Sequence, residues 1–259
     1  MINAKKSFGQ NFLKDQNIIN KIINSINITK DDLIIEIGPG MGALTSRLKE
    51  KGATLLAFEI DERMKPILSK LEDDRTHIIY KDILSVDLSS ELKKYSYNKL
   101  FVVANLPYYI TTPIVEKLVT LNIIDEMTIM VQNEVADRFS ATPSSKSYGM
   151  MSVLLNLNYD IKKLFVVKNT CFDPIPKVDS AVINMKLKDD PVKLDDYNTF
   201  KEFISKCFSQ KRKTLKNNLG TELFNKVYEE LIKYNYPLTV RAEEIPCDIY
   251  VDICNKYIK

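Results

Sequence analysis

Apolar residues in this chain follow two rhythms. Ile18, Ile19, Ile22, Ile23 and Ile26 share one helical face, and Asp15 precedes them as an N-cap, so the spacing predicts a helix over residues 15–26. Beyond it, short apolar runs alternate with helical stretches. Leu33-Ile-Ile-Glu-Ile reads as a buried strand, and Gly38-Pro-Gly-Met-Gly after it opens a helix that Gly52 closes. Thr54-Leu-Leu-Ala-Phe-Glu is a second strand, followed by a helix over residues 62–71. His77-Ile-Ile-Tyr is a third, and Leu100-Phe-Val-Val-Ala a fourth that ends in Asn105-Leu-Pro-Tyr-Tyr. A helix over residues 113–120 leads to a fifth strand at 127–131. Two more strands, near 163–167 and 181–187, are joined by the Pro-rich stretch Phe172-Asp-Pro-Ile-Pro. Strand–helix alternation of this kind predicts an α/β fold, with a mostly parallel sheet covered by helices on both faces.

The pattern changes at Lys188-Asp-Asp-Pro-Val-Lys-Leu-Asp-Asp, a polar hinge containing Pro191. After it the periodicity is helical, including residues 199–208 and 221–233. The expected domains are therefore 1–188, α/β, and 189–259, all-helical. The chain has 259 residues, 45% hydrophobic and 27% charged, which is a globular rather than a disordered composition. No apolar run reaches the roughly 18 residues a membrane helix needs. The start lacks an apolar signal core, so a cytoplasmic protein is expected.

The net charge of +3 by itself excludes little. Its distribution says more. Lys5, Lys6, Lys14, Lys21 and Lys30 face one acid, Asp15, within the first thirty residues. Lys206, Lys211, Arg212, Lys213 and Lys216 form a second cluster with no acid inside it. Each is either a solvated face or a phosphate contact. The cysteines, at 171, 207, 247 and 254, include no Cys-x-x-Cys pair, and His77 is the only histidine. A zinc site is not expected, and the thiols read as buried and reduced.

Ligands of open parallel sheets bind at the carboxyl ends of the strands. Here those ends carry Glu36 to Gly42, then Glu59, Asp82 and Asn105. Glycines let the backbone approach a ligand, and an acid roughly 20 residues after Gly38 suits the hydroxyls of a ribose. The spacing Gly38-x-Gly40-x-Gly42 departs from the Gly-x-Gly-x-x-Gly of dinucleotide sites. With Glu36 before it, it resembles motif I of S-adenosylmethionine-dependent methyltransferases. Asn105-Leu106-Pro107-Tyr108 resembles the [DNS]-P-P-[YF] motif of methyltransferases acting on exocyclic amines. The chemistry needs those residue types. Adenine N6 is a poor nucleophile because its lone pair is delocalised into the ring. The Asn105 side-chain oxygen and the Leu106 carbonyl can each accept one N6 hydrogen and favour a pyramidal nitrogen. Pro107 stiffens the turn, and Tyr108 offers a flat face to the base.

Further stretches extend the likeness: Ser7-Phe-Gly-Gln-Asn-Phe-Leu13, Gln132-Asn-Glu-Val-Ala-Asp-Arg138, Pro176-Lys-Val-Asp-Ser-Ala181 and Ser209-Gln-Lys-Arg-Lys-Thr-Leu215. With the two motifs above, they make residues 5–219 resemble the ribosomal RNA adenine N6-dimethyltransferases of the KsgA/RsmA family. The resemblance implies a Rossmann-like class I methyltransferase with a mostly parallel seven-stranded sheet and a small C-terminal helical domain that binds RNA. It implies S-adenosyl-L-methionine as cofactor and no metal. Asn11 and Leu13 would close over the cofactor, Gly38 would line it, Glu59 would hold its ribose and Asp82 its adenine amine. Asn105 would serve cofactor and target amine together. Tyr108 and Phe172 would sandwich a flipped adenine, with Phe12 as an added apolar wall. Lys5, Lys6, Lys211, Arg212 and Lys213 would meet RNA. The implied partner is the small ribosomal subunit and its 16S rRNA, with the protein acting as a monomer on two adjacent adenosines near the RNA's 3′ end. Two positions depart from the family: Asn133, where a Lys or Arg is expected, and Met150-Met151, where a basic residue is. The rivals are an Erm-type methyltransferase of large-subunit 23S RNA, a non-catalytic assembly factor, and a small-molecule methyltransferase. The last explains neither the basic clusters nor the helical tail.

Overall fold

The computed structural model describes residues 9–258. Its strands are β1 (Phe12–Leu13), β2 (Leu33–Ile37), β3 (Thr54–Phe58), β4 (Thr76–Ile79), β5 (Leu100–Asn105), β6 (Glu126–Gln132), β7 (Tyr159–Val167), β8 (Phe172–Asp173) and β9 (Ser180–Leu187). Its α-helices are α1 (Gln16–Asn24), α2 (Ala43–Lys49), α3 (Lys65–Leu68), α4 (Leu88–Leu92), α5 (Thr111–Val119), α6 (Asn133–Phe139), α7 (Met150–Asn156), α8 (Tyr197–Cys207), α9 (Leu215–Leu219), α10 (Thr221–Leu231) and α11 (Cys247–Tyr257). They form two compact units. One holds the chain up to Ala136 together with Lys162–Leu187, and the other holds Asp137–Ile161 and the chain from Lys188.

The first unit is built on a seven-stranded sheet in the order β4-β3-β2-β5-β6-β9-β7. β2 pairs in parallel with β3 and β5, β3 with β4, and β5 with β6, while β9 runs antiparallel to β6. Strands covered on both faces read as continuous apolar runs, and every residue of β2 is buried. The chain steps outward from β2 to β4, then returns to the other side of β2 as β5. At such a reversal the loops after the two central strands part and leave a crevice. The glycine loop follows β2, and Asn105 ends β5.

Helix α1 forms where the isoleucine spacing predicts it. Asp15 Oδ1 accepts the amides of Asn17 at 2.9 Å and Ile18 at 3.2 Å. Ile19, Ile22 and Ile23 enter a core with Leu44, Leu48, Phe101, Val182 and Phe172. The helix expected over 62–71 is a 3₁₀ turn, Glu62–Met64, followed by the one-turn α3. Pro66 lacks a backbone N–H, so it sits in the first turn of a helix rather than inside one.

The second unit packs α7 to α11 around Tyr148, Phe200, Phe203, Phe224 and Tyr250. Both phenols of this core are satisfied by backbone: Tyr148 donates to the Ile245 carbonyl at 3.2 Å and Tyr250 to the Ala242 carbonyl at 2.8 Å. This unit resumes at Lys188, at the hinge read from sequence, but it is larger than the expected 189–259. Residues 137–161 join it because Tyr148, Val153, Leu154 and Leu157 complete its core. All four cysteines are free, and Cys207, Cys247 and Cys254 are buried. No described helix is long and apolar enough to cross a membrane.

Phe172, expected to face a substrate base, is wholly buried in the core of the first unit. Phe172→Ala should therefore cost about 3–5 kcal/mol of stability. Thermal unfolding without any ligand measures this, and an unchanged midpoint would return Phe172 to the surface.

Candidate active site

The crevice at the strand reversal is a cleft with about 990 Å³ of empty volume, counted to its open mouth. One wall is the glycine loop. Gly38 and Gly40 have φ of 70° and 55°, a backbone region that residues with a Cβ rarely adopt. A Cβ on Gly40 would meet the Phe12 ring at 3.0 Å, so the loop and the segment before α1 lie in close contact.

At the end of β3, Glu59 ties this loop to its neighbour. Its Oε2 accepts the Gly40 amide at 2.9 Å and its Oε1 the Asp61 amide at 2.8 Å. Burial pushes the Glu59 carboxyl above its ordinary value, and the amides of Asp61 and Gly40 pull it back. Asp61 is itself fixed by Arg63, at 2.6 Å, and by Gln10 Nε2, at 2.8 Å. Arg63 first, and Gln10 after it, hold its carboxyl down at about 2. After β4, Asp82 Oδ1 accepts the Leu84 amide at 2.9 Å, closing a turn at the rim.

The opposite wall is the turn after β5. Leu106 donates its amide to the Met130 carbonyl at 3.1 Å, and the Pro107 carbonyl accepts from Thr111 Oγ1 at 3.0 Å. Asn105 Nδ2 donates to the Asn11 carbonyl at 3.1 Å. Only the amide nitrogen can face a carbonyl, so this bond assigns the Asn105 Oδ1 as the free acceptor. Tyr108 Oη lies 2.6 Å from Ser180 Oγ.

The cleft brings together Asn11, Leu13, Gly38, Glu59, Asp82 and the run Asn105 to Tyr108. Phe12 also lines it. Phe172 does not, because its ring is folded into the core while β8 pairs with β1. Lys211, Arg212 and Lys213 lie in the second unit, exposed in the loop between α8 and α9 rather than on a helix face. Lys5 and Lys6 fall outside the described residues. Asn133 has its Oδ1 enclosed without a partner. Met150 and Met151 start α7 and pack against the core of the second unit. Gln10 and Asp61 were not picked out from sequence. Gln10 sits within the Ser7 to Leu13 motif, but only the fold shows that it reaches a residue 51 positions away.

Two solved structures share this architecture. A dimethyladenosine transferase from Plasmodium falciparum superposes with a TM-score of 0.77 at 22% identity, covering 95% of this chain and 97% of its own. The 23S rRNA methyltransferase ErmE superposes at 0.73 and 21%, covering 95% and 99%. The fold is that of these Rossmann-like methyltransferases. At the level of sequence, the family model for ribosomal RNA adenine dimethylases matches residues 1–259. The chain is 48% identical over 221 residues to the ribosomal RNA small subunit methyltransferase A of Streptococcus equi subsp. zooepidemicus, covering 83% of this chain and 76% of that protein. The chain belongs to the ribosomal RNA adenine dimethylase family. Its activity is the family's: transfer of methyl groups from S-adenosylmethionine to adenine in ribosomal RNA.

The cleft fits that cofactor. Each Glu59 oxygen accepts one amide and keeps a lone pair for a ribose hydroxyl. Glu36 also lines the cleft, with a buried Oε2 that has no hydrogen-bond partner. Burial, reinforced by the nearby Glu59, pushes its carboxyl up to about 8. A cationic group in the cleft would meet an unspent acceptor there.

Glu36 also sets a pH dependence. Between 4.5 and about 8 it is neutral when folded and charged when unfolded. The folded state then binds more protons, so stability falls as pH rises through that window. Glu36→Gln removes the effect. Without ligand, its melting temperature should move in the variant's favour, relative to the parent, from about pH 5 to about pH 9. Parallel curves would show that Glu36 ionises normally.

Proposed function

We propose that this protein dimethylates N6 of two adjacent adenosines near the 3′ end of small-subunit ribosomal RNA, acting on the small ribosomal subunit as a cytoplasmic monomer. The observation that carries the chemistry is the Asn105 amide, whose nitrogen is spent on Asn11 and whose oxygen is left to accept. The choice of subunit is supported by the 48% identical relative, whose name specifies the small one. The ErmE likeness concerns fold alone and does not favour the large subunit.

When bound, S-adenosylmethionine supplies an electrophilic methyl on a sulfonium. The chain's residues position everything else. Glu59 and Asp82 hold the nucleoside end at adjoining strand ends, and Gly38 leaves room for it. Asn11 and Leu13 close over it from the segment before α1. Asn105 Oδ1 and the Leu106 carbonyl accept the two hydrogens of adenine N6. That draws the nitrogen lone pair out of conjugation and aims it along the line of transfer. Pro107 holds the turn rigid, and Tyr108 stacks on the base once it has left its helix. Orientation of this kind lowers the barrier without a strong base, because much of the cost of bringing the two reactants together is met on binding.

Lys211, Arg212 and Lys213 serve RNA phosphates from the second unit, and Lys5 and Lys6 do so from the N-terminus. Lys211 Nζ donates to the Lys146 carbonyl at 2.9 Å, which leaves its charge at the surface. Phosphate contacts of this kind add affinity without sequence preference.

The decisive experiment offers labelled methyl donor to unmethylated small subunits, large-subunit RNA and short hairpins in parallel. Label should enter small subunits as dimethyladenosine, whereas label mainly in large-subunit RNA would overturn the choice of substrate. Asn105→Ala should lose most transfer while keeping its melting temperature, and full activity would sink the mechanism. Replacing Lys211, Arg212 and Lys213 together with Ala should weaken RNA binding and flatten its salt dependence, because fewer counterions are released. Donor affinity should not change in that variant. An unaltered salt slope would make the loop an ordinary solvated one.

A further inference from the structure

The stretch from Phe172 to Val182 includes Asp179 and Ser180, which have no part in the chemistry above. Asp179 fastens the segment. Its Oδ2 accepts Lys168 Nζ at 2.8 Å, its Oδ1 accepts the Asn169 amide at 3.0 Å, and its carbonyl accepts the Asn133 amide at 3.0 Å. Asn169 Nδ2 reaches back to the Pro176 carbonyl at 3.1 Å. Both ends of the loop are therefore anchored just before β9 begins.

Ser180 is the first residue of β9, wholly buried, and sits opposite Gln132 in the antiparallel pair with β6. Its Oγ lies 2.6 Å from Tyr108 Oη, a bond between residues 72 positions apart. Tyr108 lines the cleft and is half-buried. A tyrosine held only by its backbone can swing about two side-chain torsions. A hydrogen bond at the far end of the ring pins where that end lies and so stops the swing about the first torsion, and the in-plane preference of a phenol hydroxyl biases the second. The placement of the ring matters here because Phe172 is folded into the core, so no second ring from that position constrains the base.

We propose that Ser180 is a positioning residue for methyl transfer: its hydroxyl, carried by the β6–β9 pair and anchored by the Asp179 loop, holds in place the Tyr108 ring on which the target adenine stacks. The inference rests on the reading of Tyr108 as the stacking platform. The serine never touches the substrate. Its effect passes through the tyrosine, so the two residues act as one unit.

The test is a double-mutant cycle on unmethylated small ribosomal subunits with saturating methyl donor. Ser180→Ala and Tyr108→Phe remove the same hydrogen bond from opposite ends. Each should lower kcat about two- to tenfold, the scale of one neutral hydrogen bond, with little change in KM for the particle or in donor affinity. Tyr108→Phe leaves the buried strand untouched, so it reads the bond even if Ser180→Ala folds poorly. The double variant should be no slower than the slower single one, because the bond can be lost only once. A parental kcat in either single variant, or losses that multiply in the double, would overturn the proposal. Tyr108→Ala separates the two layers of the argument. If it keeps parental activity, the stacking reading itself fails. If it falls far below Tyr108→Phe while Ser180→Ala stays parental, the platform stands and the role of Ser180 falls.

Discussion

A side-chain amide can be turned end for end with almost no change in shape, and in this cleft one hydrogen bond decides which end Asn105 presents. Its nitrogen is committed to the Asn11 carbonyl, so its oxygen is what a substrate amine would meet. That bond exists only because residues 9–13 are drawn across the strand ends. Gly9 lies against the Tyr109 ring, where a Cβ would come within 2.8 Å, and Phe12 lies against Gly40. Leu13 pairs with Phe172, and Gln10 bonds Asp61. The short β1–β8 pair is thus less a sheet than a clasp that holds the segment in place.

The same clasp joins the two halves of the chemistry. Asp61 carries the Gln10 contact on its carboxylate and donates its own amide to Glu59. Glu59 in turn holds the Gly40 amide. Hydrogen bonds, with the Gln10–Asn11 peptide between them, thus connect the Gly40 loop through Glu59 and Asp61 to the Asn105 amide. Preorganisation of this kind matters where transfer depends on aim rather than on a strong base.

The acids in and beside the cleft are unequal. Glu59 has two backbone amides to offset its burial, whereas the buried Oε2 of Glu36 has no partner. Burying an unpaired carboxylate is costly, which is why Glu36 stays protonated up to about 8. Asp61, by contrast, is ionised firmly beside Arg63 and acts as scaffold.

Much of this was legible in the amino-acid order. Buried parallel strands need continuous apolar runs, so the strand positions follow from local composition, and the strand ends then mark where Gly38, Glu59, Asp82 and Asn105 must lie. The helix of residues 15–26 was legible for the same local reason, from its isoleucine spacing and its Asp15 cap. What periodicity cannot carry is the identity of the neighbour. Tyr148, Val153 and Leu154 are apolar in any fold, and only tertiary packing gave them to the core of the second unit. Phe172 could have faced either side of a two-residue strand, and the pairing of β8 with β1 went with a ring folded into the core. The contacts of Gln10 with Asp61 and of Tyr108 with Ser180 bridge residues far apart in sequence, so they came into being only when the chain closed on itself.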